Sequence, residues 1–316
     1  MHRDKTIGVL MGGLSAEREV SLQTGTAVAK ALREKGYDVV ELDLNETIVQ
    51  ELASSGVQII YNALHGKWGE DGCVQGLLEI LRIPYTGPGV MSSAVSMDKI
   101  VSKRLFEAGG LPVPPYEVLT RKERLVGRTG LPSVGFPVVV KPATEGSSVG
   151  IAIVDGGEDY DAALAAAFEL DERVLIEKYI PGRELSVAVL GDRALGIVEI
   201  RPKVIAGEKF TFYDYKHKYT KGMTEYYTHP EDLGDELEIG MRKLAQRANR
   251  AVQGEGVVRV DFIIDEDRHP WLLEVNTLPG LTELSLVPMI ARDWAGMDFG
   301  ELVEMVLITA RLKVGS

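Results

Sequence analysis

The sequence has almost no cysteine and no long apolar run. Cys73 is the only cysteine in 316 residues, so no disulfide can form within the chain, and nothing indicates an oxidising compartment. No apolar run approaches the roughly 20 residues that span a bilayer. The short apolar segment Ile7–Leu14 indicates a buried strand and turn rather than a signal peptide. We therefore expect a cytoplasmic protein that does not bind membranes.

The chain is also poor in positive charge. It has 35 Lys and Arg against 47 Asp and Glu, a formal net charge of −12, which argues against general binding of nucleic acid. A local basic pocket for phosphates remains compatible with this balance. The hydrophobic share of 45% and the charged share of 26% are typical of soluble globular proteins. At roughly 100–200 residues per domain, two or three domains are expected.

Strand and helix patterns alternate in the first third of the chain. Strands are predicted at Ile7–Met11, Tyr37–Leu44 and Val57–Asn62, and a helix at Ser21–Lys35. This alternation is typical of a parallel sheet with crossover helices. A single helix is predicted over Met91–Ala108, and antiparallel strands dominate the later part of the chain.

The strongest local motif is the pair Arg259-Val-Asp261 and Glu274-Val-Asn276. Residues two apart on a strand face the same side, so pairing of the two strands would bring these side chains together. Carboxylate and amide oxygens suit Mg²⁺. The alternative is the solvent-facing side of a hairpin, but the apolar neighbours of these residues favour a buried polar cluster that needs a partner.

Two further segments predict phosphate or nucleotide contacts. Lys141 ends an apolar strand and precedes the loop Glu145–Gly150, whose backbone N–H groups could cover phosphates; an ordinary hairpin turn is the alternative. The strand that ends at Glu177–Ile180, followed by Glu184, could offer free backbone groups to an adenine and a ribose. Solvated charges at a strand end are the alternative there.

Polar loops follow the first and third predicted strands. Ligands bind at the carboxyl ends of parallel strands, so Glu17 and His65 are expected to be neighbours at that edge. A purely structural histidine is the alternative for His65. The long polar segment Lys203–Gly222, which includes Phe212–Tyr219, predicts a lid over a phosphate site.

Together these motifs resemble the D-alanine–D-alanine ligase family of the ATP-grasp superfamily. Their order and spacing agree with the family from residue 6 to the last helices. The motifs around Glu17, His65 and Tyr213–Tyr219 are more specific to the family than the Arg259, Asp261, Glu274 and Asn276 set, which many enzymes of the superfamily share. The matching segments are Gly12–Ser21, His65–Gly76, Met97–Lys99, Lys141–Gly150, Phe212–Tyr219, Arg259–Asp261 and Glu274–Thr282. Leu284 departs from the family, in which many members carry a polar residue there.

The resemblance implies a fold and a domain division. An N-terminal parallel-sheet, Rossmann-like domain for substrate would span residues 1–95 and precede an ATP-grasp fold of two α+β subdomains. The central subdomain would span residues 96–181, and the C-terminal catalytic subdomain residues 182–316. A homodimer is implied by the resemblance alone.

The resemblance also implies roles for individual residues. ATP would be held by Lys99, Lys141, Glu177, Lys178, Tyr179, Ile180, Glu184 and Lys218. Two Mg²⁺ ions, with Mn²⁺ as an alternative, would be held by Asp261, Glu274 and Asn276. Two D-alanines would be surrounded by Glu17, His65, Ser147, Tyr219, Arg259, Gly280, Ser285 and Leu286, of which Glu17, Ser147, Tyr219, Arg259, Gly280 and Ser285 would be catalytic.

The implied activity is ATP-dependent joining of two D-alanines through an acyl phosphate, for peptidoglycan precursors. A ligase that makes D-alanyl-D-lactate, or joins another acid and amine, is the alternative within the class. An NAD-binding oxidoreductase is disfavoured because Gly8-x-x-x-Gly12-Gly13 does not fit the dinucleotide fingerprint. A non-catalytic nucleotide-binding module is disfavoured because the Asp261, Glu274 and Asn276 set is complete.

Overall fold

The computed structural model describes residues 2–126, 130–146, 149–203, 222–230, 232–282 and 285–314. Within these residues the chain forms a mixed α/β structure with three sheets. Each sheet falls within one of the three ranges expected from the sequence, while the exact boundaries stay a prediction. No helix in this described part is long and apolar enough to cross a membrane.

The first sheet is parallel, as the alternating pattern predicts. Its strand order is β2-β1-β3, and both pairings are parallel. Helix α1 stops before Gly36, whose φ of 84° lies in the left-handed region that glycine adopts at low cost. The elements are β1 (Thr6–Met11), α1 (Arg18–Glu34), β2 (Asp38–Asp43), α2 (Ile48–Ser54), β3 (Ile59–Asn62) and α3 (Cys73–Ile80).

The second sheet is antiparallel, with strand order β4-β7-β5-β6. Strand β4 and the short helix after it were not predicted from the sequence. The elements are α4 (Val90–Met97), α5 (Lys99–Ala108), β4 (Tyr116–Thr120), α6 (Arg121–Leu125), β5 (Val138–Pro142), β6 (Ala152–Val154), α7 (Gly157–Leu170) and β7 (Arg173–Lys178).

The prediction of one helix over Met91–Ala108 is wrong, because Asp98 divides it. Asp98 has extended backbone angles, and its carboxylate accepts hydrogen bonds from the N–H groups of Ile100 and Val101 at 3.0 Å. A short acidic side chain satisfies the first N–H groups of a new helix in this way. The break places Lys99 at the start of α5, where its ammonium donates to the carbonyl of Glu145.

The third sheet is antiparallel, with strand order β10-β9-β8-β11-β12. Strand β11 therefore has a neighbour on each side, and Asp261 lies directly opposite Glu274 of β12 and Ser186 of β8. The elements are β8 (Arg183–Leu190), β9 (Arg193–Pro202), β10 (Thr224–Tyr227), α8 (Asp235–Ala251), β11 (Val257–Ile264), β12 (Pro270–Asn276), α9 (Leu286–Ala295) and α10 (Phe299–Ile308).

Each sheet, together with the helices grouped with it above, is called a unit. One hydrophobic core joins the first unit (β1 to α3) to the third (β8 to α10). Val9 of β1 and Leu32 of α1 belong to the same buried cluster as Ile200 of β9, Ile290 of α9 and Leu302 of α10. Burying this shared apolar surface stabilises the contact between the units. The loops after β1 and β3 therefore face the carboxylates of β11 and β12 across a fixed junction.

The chain after α10 returns to the first unit. The ammonium of Lys313 donates to the carbonyls of Tyr85 at 2.5 Å and Arg311 at 2.8 Å, and it lies 4.2 Å from the centroid of the Tyr85 ring. Glu79 accepts from the Lys313 N–H at 2.7 Å and from the Tyr85 hydroxyl at 2.8 Å. Burial lowers the pKa of Lys313 to about 8, against the opposing effect of Glu255.

We expect Lys313 to make stability rise with pH between about 8 and its ordinary pKa of 10.5. In that window the unfolded chain binds the Lys313 proton more tightly than the folded chain does, so raising the pH favours folding. After allowance for solvent screening, the contribution is about 2 kcal/mol. Urea unfolding of the wild type and of Lys313→Met across this window checks it. A stability difference between the two that does not change with pH would contradict it.

Candidate active site

A cleft of about 320 Å³ lies where the three units meet. The first unit contributes the loops after β1 and β3, the second contributes α5 and the loop after β5, and the third contributes β12 and the start of α9. The sequence-predicted residues that line the cleft are Glu17, His65, Lys99, Arg259, Glu274, Asn276, Gly280, Ser285 and Leu286. Glu145 and Gly146, from the loop predicted to cover phosphates, line it as well, as do Glu70 and Thr282, to which the sequence analysis assigned no individual role.

The four polar residues of β11 and β12 converge, as the strand spacing predicts. The Arg259 guanidinium donates from Nε to Asp261 Oδ1 at 2.8 Å and from Nη2 to Asp261 Oδ2 at 2.7 Å. The amide of Asn276 donates to Asp261 Oδ2 at 2.9 Å and to Glu274 Oε1 at 3.3 Å. Asp261 is buried, with 6% of its surface exposed, and the interpretation as a solvent-facing hairpin is therefore wrong.

The donor set of this cluster fits Mg²⁺. It offers two carboxylates and one amide, all oxygen donors, beside an open cleft, and Mg²⁺ takes one or two protein carboxylates together with substrate phosphates. A metal held by all three would replace the hydrogen bonds of the Asn276 amide with coordination by its oxygen. Nowhere in the described ranges do three or more His, Cys, Asp or Glu side chains form a metal-holding group.

Three buried charged side chains, Glu177, Lys103 and Lys141, form a second cluster, which interacts with Glu274 of the cluster on β11 and β12. The Glu177 carboxylate is only 2% exposed, and its two oxygens form ion pairs with the ammonium groups of Lys103 and Lys141. Burial alone would raise the pKa of Glu177, but the two ammonium groups lower it to about 2. Burial opposes the charge of Lys141, yet the carboxylates of Glu177, Glu274 and Glu184 outweigh it and raise its pKa. Lys141 thus interacts electrostatically with Glu274, which lines the cleft, although Lys141 and Glu184 are not among the lining residues themselves.

The sequence predicts free backbone groups at the end of this strand, and two of its N–H groups are already hydrogen-bonded within the chain. The N–H of Lys178 donates to the carbonyl of Pro115 at 2.8 Å, and the N–H of Tyr179 donates to that of Pro137 at 3.0 Å. The Lys178 ammonium also donates to the carbonyl of Phe136 at 2.8 Å. A nucleotide held by the Glu177–Ile180 segment would have to contact groups of this segment other than the N–H groups of Lys178 and Tyr179.

Glu17 and His65 are neighbours, as the parallel sheet predicts. The hydroxyl of Ser15 donates to the carbonyl of His65 at 2.7 Å and accepts the N–H of Glu17 at 3.1 Å. A Cβ added at Gly66 would lie 2.9 Å from Glu17 Oε1, and one at Gly146 would lie 2.5 Å from the same oxygen. The carboxylate of Glu17 thus lies close to the backbone of two loops, and the φ of 71° at Gly66 independently favours glycine there.

His65 is held by groups on both of its ring nitrogens. Its Nε2 lies 2.9 Å from the Thr24 hydroxyl, and its Nδ1 lies 3.4 Å from Glu70 Oε1. Burial raises the pKa of Glu70, and Glu17 adds to this, while His65 opposes it. The sequence offers a signal for Glu70, since it lies five residues after His65 in the same polar loop, but not for Thr24, which lies inside α1.

Gly280, Ser285 and Leu286 lie together at the third wall of the cleft. Ser285 Oγ accepts the N–H of Thr282 at 3.1 Å and lies 2.9 Å from the Thr282 hydroxyl. Leu286 is the first residue of α9 and is buried. All three residues line the same cleft as Arg259, Glu274 and Asn276.

Several predicted residues lie outside the described part of the chain. They are Ser147, Lys218, Tyr219 and Leu284, together with most of the segment Lys203–Gly222. The predicted lid and the roles implied for Ser147, Lys218 and Tyr219 therefore stay predictions.

Comparisons with known proteins agree with the geometry. The family model described as D-ala D-ala ligase C-terminus matches residues 105–308, and that described as D-ala D-ala ligase N-terminus matches residues 44–88. A D-alanine–D-alanine ligase of Geobacter sulfurreducens is 48% identical over 98% of this chain and 95% of its own. One of Trichlorobacter lovleyi is 47% identical over 99% and 97%.

Solved structures lead to the same family. The crystal structure of D-alanine–D-alanine ligase from Bacillus anthracis complexed with ATP has a TM-score of 0.81 and 35% identity, and the match covers 96% of this chain and 97% of that one. The expected fold class, a parallel-sheet domain followed by an ATP-grasp fold, is confirmed. By matched family models, sequence identity and fold, this chain belongs to the D-alanine–D-alanine ligase family.

Proposed function

We propose that this protein uses ATP to join two D-alanines into D-alanyl-D-alanine, releasing ADP and phosphate. The observation that carries the proposal is one cleft lined both by Glu17 and by Arg259, Glu274 and Asn276, the last two beside the buried Asp261. The cluster suits a triphosphate, and the carboxylate of Glu17 suits the ammonium of an amino acid. The names of the family's members supply the identity of that amino acid.

The first step activates a carboxylate. A carboxylate oxygen of the first D-alanine attacks the γ-phosphorus of ATP, the bond to the bridging oxygen breaks, and ADP leaves with that oxygen. Positioning and charge neutralisation dominate such transfers. When bound by Asp261, Glu274 and Asn276, Mg²⁺ supplies neutralisation of phosphate charge. Lys99 and Lys141 add fixed positive charge, and Glu17 holds the ammonium of the first D-alanine.

The second step forms the peptide bond. The deprotonated amine of the second D-alanine attacks the carbonyl carbon of the acyl phosphate, and the carbon–oxygen bond then breaks to release phosphate. Negative charge develops on the carbonyl oxygen between these events. Arg259 and the N–H of Gly280 would stabilise this oxyanion, an effect typically worth about 3–4 kcal/mol per donor.

An acyl phosphate must be kept from water, and contacts across the cleft serve this purpose. The ammonium of Lys67, in the loop after β3, lies 2.5 Å from the Glu145 carboxylate in the loop after β5. Lys99 donates to the carbonyl of the same Glu145. These two cations hold the described start of the loop Thr144–Gly150 over the cleft, and closing such a loop excludes water from the intermediate.

We extend the proposal to the finer features that the family resemblance implies. Two Mg²⁺ ions would act, with Mn²⁺ able to replace them, and Lys218 would join Lys99 and Lys141 at the phosphates. The protein would work in the cytoplasm as a homodimer, and its product would enter peptidoglycan precursors. Mn²⁺ titration of the purified protein tests the replacement of Mg²⁺ by Mn²⁺, and sedimentation tests the homodimer.

The product of a direct competition tests the substrate assignment. Equal D-alanine and D-lactate, with ATP and Mg²⁺, should give D-alanyl-D-alanine as the main product. A neutral Tyr219 in the predicted lid would tolerate the ammonium of D-alanine. A histidine in its place could become cationic and would repel that ammonium. Product masses are read at mildly acidic and mildly alkaline pH, alongside ADP release across a panel of D- and L-amino acids. A depsipeptide that dominates at alkaline pH would contradict the role of Tyr219 and favour the alternative ligase.

A further inference from the structure

A single hydroxyl lies inside the apolar strand β8. Ser186 is 0% exposed, and its strand neighbours Leu185, Val187 and Ala188 are fully buried. The Ser186 hydroxyl donates to Asp261 Oδ1 at 2.6 Å. A buried hydroxyl without a partner costs about 1–3 kcal/mol, so its presence in this strand is explained by the carboxylate that it meets.

The two carboxylate oxygens of Asp261 contact side chains of two different neighbouring strands. Asp261 lies on β11, directly opposite Ser186 of β8 on one side and Glu274 of β12 on the other. Oδ1 accepts from Ser186, while Oδ2 accepts from Asn276 at 2.9 Å. The pairing of β11 with β12 shifts immediately after Asp261, and such irregularities re-aim side chains beside functional sites.

Arg259 does not by itself fix this arrangement. Its guanidinium contacts both oxygens of Asp261, at 2.8 Å and 2.7 Å, so it does not distinguish one oxygen from the other. Ser186 has a short side chain on a strand with a paired neighbour on each side. It therefore anchors one oxygen of the carboxylate to the rigid sheet.

We propose that Ser186 is a positioning residue that holds Oδ1 of Asp261 and so presents Oδ2 to the metal–nucleotide site beside Glu274 and Asn276. The proposal rests on the proposed function, because it requires that a divalent metal and a nucleotide bind there. Hydrogen-bond partners of metal ligands typically change metal affinity by about 10–100-fold when they are replaced.

The test measures metal affinity rather than turnover. Binding of Mn²⁺ is followed by electron paramagnetic resonance with a non-hydrolysable ATP analogue, for the wild type, Ser186→Ala and Ser186→Thr. We expect the alanine variant to raise the Kd for Mn²⁺ by about 10-fold, and the threonine variant, which keeps the hydroxyl, to remain near the wild type. Ser93→Ala is the matched control, because Ser93 is also fully buried but lies on α4, and it should leave the Kd unchanged.

A Kd for Ser186→Ala that stays within about twofold of the wild type, well below the usual 10-fold effect, would overturn the proposal. If the alanine variant does not fold, Ser186→Cys takes its place, because a thiol of similar size is a weak donor. Cysteine should then weaken Mn²⁺ binding, and unchanged binding would overturn the proposal equally. No D-alanine enters this measurement, so an error in the proposed amino acid substrate would show in the product assay alone.

Discussion

Glu274→Gln is expected to lower kcat by about 100-fold or more while leaving the fold nearly intact. Glu274 faces Asp261 across paired strands and lines the cleft. Replacing its carboxylate with an amide removes one anionic ligand from the proposed metal site, a loss of several kcal/mol in the transition state. Steady-state turnover at saturating Mg²⁺ and thermal unfolding of the same sample measure the two effects.

The matched control for this variant is Glu266→Gln. Glu266 lies in the exposed turn that joins β11 to β12. The substitution therefore removes the same charge from the same hairpin, away from the cleft. It should keep wild-type turnover. A folded Glu274→Gln variant with near-native turnover at saturating Mg²⁺ would rule out Glu274 as a metal ligand.

Arg259→Lys is expected to lower kcat by about 10²–10³-fold, with a smaller effect on the KM for ATP. The guanidinium is held flat against the Asp261 carboxylate by two hydrogen bonds, which fixes its remaining N–H groups relative to the cleft. Lysine keeps the charge but loses this planar geometry. The loss should therefore fall on the step in which the carbonyl oxygen becomes negative.

Arg250→Lys serves as the control for the arginine. Arg250 lies on α8 and pairs with Asp192 at the surface, where an exposed ion pair contributes little, so this variant should match the wild type in both constants. Rapid mixing separates the two chemical steps of Arg259→Lys. If ADP formation slows as much as dipeptide formation, Arg259 acts before the oxyanion forms, and the role proposed for it is wrong.

The cluster on β11 and β12 could be predicted because it depends on local spacing. Arg259 and Asp261 lie two residues apart, as do Glu274 and Asn276, so a period of two places each pair on one face, and pairing of the two adjacent strands brings the pairs together. The neighbourhood of Glu17 and His65 follows likewise from the edge rule for parallel sheets. Both predictions are confirmed by the contacts in the structure.

Other features depend on contacts between distant segments and could not be predicted. Lys103 reads as an ordinary charged residue of a helix, and it becomes buried only because β7 brings Glu177 against α5. Asp98 lies inside a run with helical character, and the new helix start shows only in its backbone angles and capping bonds. Ser186 does carry a weak signal, as a lone polar residue in a buried strand, but its partner Asp261 is 75 residues away.

The transfer of an oxygen atom tests the central claim most directly. With both carboxylate oxygens of D-alanine labelled with ¹⁸O, one labelled oxygen should pass to each molecule of inorganic phosphate, in step with ADP and dipeptide. This follows because the carboxylate oxygen that attacks phosphorus leaves with it when the amine attacks carbon. Mass spectrometry of the phosphate reads the result. Dipeptide formed with unlabelled phosphate would contradict an acyl phosphate intermediate, and with it the chemistry assigned to the cleft.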